Sequence, residues 1–194
     1  MAPYLILIVA FLIALYLIFR KAKPKQATGF VIGDAEKNML LEHVSYYENL
    51  SPDKRTRFEA LLQDFLSDVR VEGVGIIVEP LDRLLVACSA TIPIFGFGQW
   101  KYKNLSNVLL YPDTFNKDFQ FEGNGDRNIM GMVGTGYMNG QMILSRSALR
   151  QGFSAAAGKE NTAIHEFVHL LDKSDGATDG IPENLILRPK ILPR

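Results

Sequence analysis

The sequence predicts an α+β domain carried behind one transmembrane helix. Three observations lead there: an uncharged apolar run at the N-terminus, helix-like and strand-like segments that follow one another without regular βα alternation, and a last helix whose polar residues gather on one strip. At 194 residues, with 47% hydrophobic and 22% charged positions, the chain is long enough for one sizeable core and a short appendage.

Pro3 to Phe19 reads PYLILIVAFLIALYLIF, without a charge and with Tyr4 and Tyr16 near its two ends. Its length is at the short end of the roughly 17–25 residues that span a bilayer as a helix, and the tyrosines suit the headgroup region. A cleaved signal peptide needs basic residues before the apolar run, whereas Arg20, Lys21, Lys23 and Lys25 follow it. Residues 1–20 are therefore expected to be an uncleaved anchor. The basic cluster is expected on the cytoplasmic side, with the remaining body cytoplasmic as well. Residues 21–33 read as a basic linker containing Pro and Gly, and residues 34–194 as the folded domain.

Within that domain, 34–49 reads as one helix. Ser51-Pro52-Asp53 is a start signal for the next, which carries Phe58, Leu61, Leu62, Phe65, Leu66 and Val69 at helical spacing. Val71 to Glu79 is expected as a strand, Pro80 to about Ile94 as a buried helix ending near Pro93, and Asn107 to Tyr111 as a second strand. The glycine-rich 123–136 is expected as a loop. Met138-Asn139-Gly140-Gln141 reads as a hairpin of the type I′ kind, leading into the strand Met142–Leu144. Ser145 then caps a short helix through Arg150, and the last helix runs from about Asn161 to Lys173.

Charge and cysteine content exclude several classes. The formal net charge is zero, but no acid precedes Asp34; removing the four N-terminal basic residues leaves 17 basic against 21 acidic residues, a body of about −4. Such a body has no bulk attraction for nucleic acid. The single cysteine, Cys88, rules out an internal disulfide framework and a cysteine-rich metal site, and reads as a small buried hydrophobe.

The chemistry centres on His165-Glu166-Phe167-Val168-His169, an HExxH motif on the last helix. Residues four apart share a helical face, so both imidazoles reach one tetrahedral Zn²⁺. Glu166 lies beside them, placed to take a proton from zinc-activated water as general base. At 3.6 residues per turn, Asp172, His165, His169, Thr162, Lys173 and Glu166 fall in one arc of about 120°, and apolar residues fill the rest. An amphipathic helix with two surface histidines sorts its residues the same way, so the wheel alone does not choose zinc. Only three histidines occur in the chain, however, and two make the motif; the third, His43, reads as an ordinary surface or packing residue. An intramembrane protease also uses HExxH, but Lys159-Glu160 and Lys173-Ser174-Asp175 flank this helix with charge.

Beyond the motif, four blocks resemble the Mlc titration factor A family of bacterial zinc-dependent peptidases: Leu84 to Phe115 (LLVACSATIPIFGFGQWKYKNLSNVLLYPDTF), Met138 to Leu149 (MNGQMILSRSAL), Asn161 to Asp172 (NTAIHEFVHLLD) and Asp175 to Pro182 (DGATDGIP). The resemblance implies a zincin-like metallopeptidase domain with His165 and His169 as zinc ligands and Glu166 as general base. It implies aminopeptidase-like hydrolysis of short peptide substrates and a transcriptional repressor as a further partner. In the family the third zinc ligand is a glutamate on a later helix. This chain ends at Arg194 before such a helix, so its C-terminal part is expected to be missing. Asp175 stands six residues after His169, where metzincins place their third ligand, but Asp172 occupies the position at which that class has glycine. Glu183 is another nearby acid. Both read first as solvated loop carboxylates. Two functions therefore stand side by side: a zinc peptidase, and a catalytically incomplete regulatory or binding protein of the same descent.

Overall fold

The computed structural model describes residues 30–97, 100–102, 104–115, 129–133, 140–154, 158 and 160–172. The expected anchor 1–20 lies outside them, as does most of the linker, and among the described residues no helix is long and apolar enough to cross a membrane.

The helix expected over 34–49 is two helices, α1 (Asp34–His43) and α2 (Ser45–Glu48). Between them Val44 leaves helical geometry, at φ −125° and ψ 89°, while its side chain is buried. The redirected α2 brings Tyr47 to the following helix, where its hydroxyl donates to Glu59 Oε1 at 2.6 Å. A tertiary contact beats helix continuity at a β-branched residue of modest helix propensity. Helix α3 (Pro52–Asp68) begins as expected, with extended Ser51 before Pro52, and buries Phe58, Leu62, Phe65 and Leu66.

Strand β1 (Arg70–Gly73) is shorter than the stretch expected over 71–79. Gly75 takes φ +73°, and a side chain on Gly73 would collide with the Ile76 carbonyl, so the chain turns there and leaves Ile77 exposed. Helix α4 (Pro80–Ile94) follows, and every residue from Leu84 to Thr91 is buried. A helix apolar nearly all round belongs in the centre of a core, and α4 packs against α1, α3 and both later helices. Its N-terminus carries a buried charge. Asp82 is fully enclosed, accepts from Glu79 N at 3.0 Å and from Arg150 Nε at 2.8 Å. Arg150 also bonds Glu79 at 2.9 Å and holds that carboxyl below the ordinary carboxylate range.

Strand β2 (Asn107–Tyr111) matches the sequence reading. Strand β3 (Gly131–Val133) does not, because the stretch 123–136 was expected as loop. Its backbone is recruited by strand β4 (Gln141–Ser145), a pairing between distant residues that local composition does not encode. The register joins Val133 to Met142, and Gly140 has the positive φ expected of it, +86°; the rest of the expected turn before Gln141 lies outside the described residues. Ser145 caps α5 (Arg146–Gly152), its Oγ accepting from Ala148 N at 3.1 Å. The last described element is α6 (Thr162–Asp172).

The sheet order is β1-β2-β4-β3, with β1, β2 and β4 parallel and β3 antiparallel to β4. Val71, Val108, Leu110, Met142 and Leu144 join the helices in one large core, whereas Tyr111, Phe115 and Ile143 form a small cluster of their own. The result is a mixed α+β arrangement with a small sheet, as expected from the irregular order of elements.

Candidate metal centre on helix α6

Helix α6 starts where Asn161 Oδ1 accepts from Ile164 N at 3.0 Å, an N-cap that also ties α5 to α6 through Asn161 Nδ2 and the Gly152 carbonyl at 2.9 Å. Its rotation is then set by Phe167, which is fully buried. The ring meets Phe65 at 5.7 Å and Tyr102 at 5.3 Å between centroids, both steeply inclined. Such edge contacts add to the area that Phe167 buries. Tyr102 is itself fixed by a 2.8 Å hydrogen bond to the Ala90 carbonyl of α4. Ala163 and Leu171 are buried on the same side. Val168, expected within the buried sector, is 45% exposed, so the apolar seam is narrower than the helical wheel suggests.

With Phe167 turned inward, His165 and His169 turn outward. Both are exposed, their rings meet edge to face with centroids 4.4 Å apart, and the two Nε2 atoms lie 2.9 Å from each other. Without a cation, that distance requires one ring to donate and the other to accept. A tetrahedral zinc with Zn–N of about 2.0–2.1 Å places two ring nitrogens roughly 3.3 Å apart, so a small rotation of two exposed rings admits it. The chemistry and convergence of the pair fit two ligands of one divalent cation.

Glu166 is half-buried and lies against β3. A Cβ on Gly131 would sit 2.7 Å from Glu166 Cγ and 3.3 Å from its carboxyl carbon. Asp172, on the same polar strip, has its Oδ1 buried and, among the described residues, without a hydrogen-bond partner, an arrangement that costs free energy unless some donor or cation meets it.

The structure brings the three motif residues together on α6. It does not bring a third ligand to them: among the described residues no group of three His, Cys, Asp or Glu side chains gathers as a metal site. Asp175 and Glu183 lie outside the described residues. His43 ends α1, with Nε2 3.8 Å from Glu42 Oε1, in keeping with its reading as an ordinary residue. Cys88 is buried in α4, and burial pushes its thiol up. Gly131 is the residue of the site that sequence reasoning missed. A glycine inside a strand is the signal for close approach, but that strand was not foreseen.

The chain belongs to the family of glucose-regulated metallo-peptidases M90, whose pattern it matches over residues 19–189. A metal ion comes with that class. Among individual relatives, the chain is 27% identical to the uncharacterized protein slr2042 of Synechocystis over 150 residues, 75% of this chain and 54% of that protein. It is 26% identical to Mlc titration factor A of Escherichia fergusonii over 159 residues, 77% of this chain and 59% of the relative. The Salmonella arizonae protein of the same name is 28% identical over 144 residues, 69% and 55% of the two chains. These matches span little more than half the length of the relatives.

Proposed function

We propose that this chain is a zinc-dependent peptidase with a zincin-like domain at residues 34–194, acting in the manner of an aminopeptidase on short peptides. The observation that carries the reading is the 2.9 Å convergence of the His165 and His169 Nε2 atoms, with Glu166 beside them on the same helix. His165 and His169 would hold the cation. When bound, zinc supplies a Lewis acid that polarises the scissile carbonyl and makes water acidic near neutral pH. Glu166 takes the proton of the attacking water on its carboxylate and returns it to the departing amine. A catalytic zinc needs a third protein ligand, which the resemblance assigns to a glutamate well beyond His169.

A second reading is a regulatory or binding protein that keeps the fold without a complete site. It is favoured by the lack of a third ligand beside the histidine pair among the described residues. The name of the relatives points to Mlc, a transcriptional regulator, as the partner in that case. In either reading residues 1–20 anchor the domain to a membrane and the basic segment 21–33 spaces it on the cytoplasmic side.

Zinc content and hydrolysis of chromogenic amino-acid and peptide substrates, with and without Glu166→Gln, separate the two readings. The peptidase expects one zinc per chain and turnover that falls about 10²–10⁴-fold in the variant. Zinc bound without any turnover that depends on Glu166 leaves only the second.

A further inference from the structure

Strand β3 holds a glycine at a position where its own backbone needs none. Gly131 is paired to Leu144 in extended geometry and is not among the described glycines with positive φ, which are Gly75, Gly140 and Gly158. Any residue adopts such a backbone, and glycine in a strand costs stability relative to residues with side chains. What forbids a side chain there is space. A Cβ at 131 would meet Glu166 Cγ at 2.7 Å, Leu144 Cδ2 at 3.1 Å and Glu166 Cδ at 3.3 Å. Two of these three atoms belong to the glutamate of the motif.

The two parties to this contact are anchored independently. On one side, Gly131 pairs with Leu144 of β4, and next to it the Met130 carbonyl accepts from the fully buried Ser145 at 2.8 Å. On the other, α6 is held to the core by Phe167 and to α5 by Asn161. The gap between strand and helix is therefore set by the core, and the stem of Glu166 fills it.

We propose that Gly131 is a positioning residue for Glu166: the bare backbone of β3 is a shelf along which the glutamate stem lies, and this shelf fixes where the carboxylate sits relative to the histidine pair. The inference rests on the peptidase reading for its catalytic consequence, but the contact itself does not. A methyl group at 131 displaces the Glu166 stem before either histidine, because the three atoms nearest that Cβ belong to Glu166 and Leu144.

The test is Gly131→Ala in the full chain, read in three ways. A crystal structure of the variant is expected to show the Glu166 carboxylate moved by about 1 Å or more with the histidine pair unchanged; an unmoved Glu166 overturns the proposal whether or not the chain is a peptidase. Zinc stoichiometry and KM are expected to stay as in the parent while kcat drops on the order of 100-fold, the usual cost of a catalytic group displaced by about 1 Å. Full kcat in the variant overturns it. A parent chain that binds zinc but has no Glu166-dependent turnover defeats the peptidase reading and leaves the crystallographic result to decide the contact. Glu166→Ala removes the Cγ atom, so Gly131→Ala is expected to lower Tm less in that background than in the parent, and to fold there even if the single variant does not. An equal loss of Tm in both backgrounds assigns the glycine to Leu144 alone.

Discussion

Asp82 shows how a single residue can be held charged inside a helix-rich core. Its carboxylate is fully enclosed and is met by one backbone amide and by the guanidinium of Arg150. Removing one partner of such a pair costs more than the pair contributes, because the remaining charge stays buried without compensation. Arg150→Met is therefore expected to destabilise the fold by on the order of 3 kcal/mol, measured by urea denaturation at neutral pH. An Asp82→Asn/Arg150→Met pair is expected to recover part of the loss. A loss under about 0.5 kcal/mol for the single variant, the range of ordinary surface substitutions, contradicts this account. Glu79, being exposed, is a lesser partner; its hydrogen bond to Arg150 lowers its carboxyl, so what it contributes is present above the ordinary carboxylate pKa and fades as pH falls through the folded value.

Helix α6 is the element on which the candidate site depends, and one inward residue sets its rotation. Phe167 lies between the two motif histidines in sequence and opposite them in space, wedged on Phe65 and Tyr102. Phe167→Ala leaves a cavity where three aromatic rings met and is expected to cost about 3–5 kcal/mol, read as a lowered denaturation midpoint. The same change is expected to weaken zinc binding, because the loosened helix no longer presents both Nε2 atoms along one direction. Zinc affinity unchanged in a folded Phe167→Ala protein argues that the histidines are ordered by the metal and not by the core. Helix α4 matters to the same site at one remove, since its Ala90 carbonyl fixes the Tyr102 ring that backs Phe167.

Over the whole molecule, charge and apolar content are distributed along the chain so that the N-terminal 29 residues and the described body have different characters: an uncharged run and four basic residues in the first, a net acidic composition in the second. The proposed orientation follows from that bias, and a reporter joined after Lys25 is expected to read as cytoplasmic; an external signal overturns it. What the sequence by itself determined is the set of elements with strong local signals: the α3 start at Ser51-Pro52, the buried α4, β2, the Ser145 cap of α5, and α6 with His165, Glu166 and His169 on one strip. Each of these rests on periodicity or capping within a dozen or so residues, which local physics fixes. Only the tertiary structure decided the break at Val44, the early end of β1, the strand at Gly131–Val133 and the narrow exposed rim at Val168, because each depends on what a distant segment offers in contact. The same holds within the motif. Spacing put Glu166 on the polar strip of its helix, but that its stem lies on the bare backbone of Gly131 follows from β3 pairing with β4 beside α6, a long-range arrangement that no run of neighbouring residues specifies.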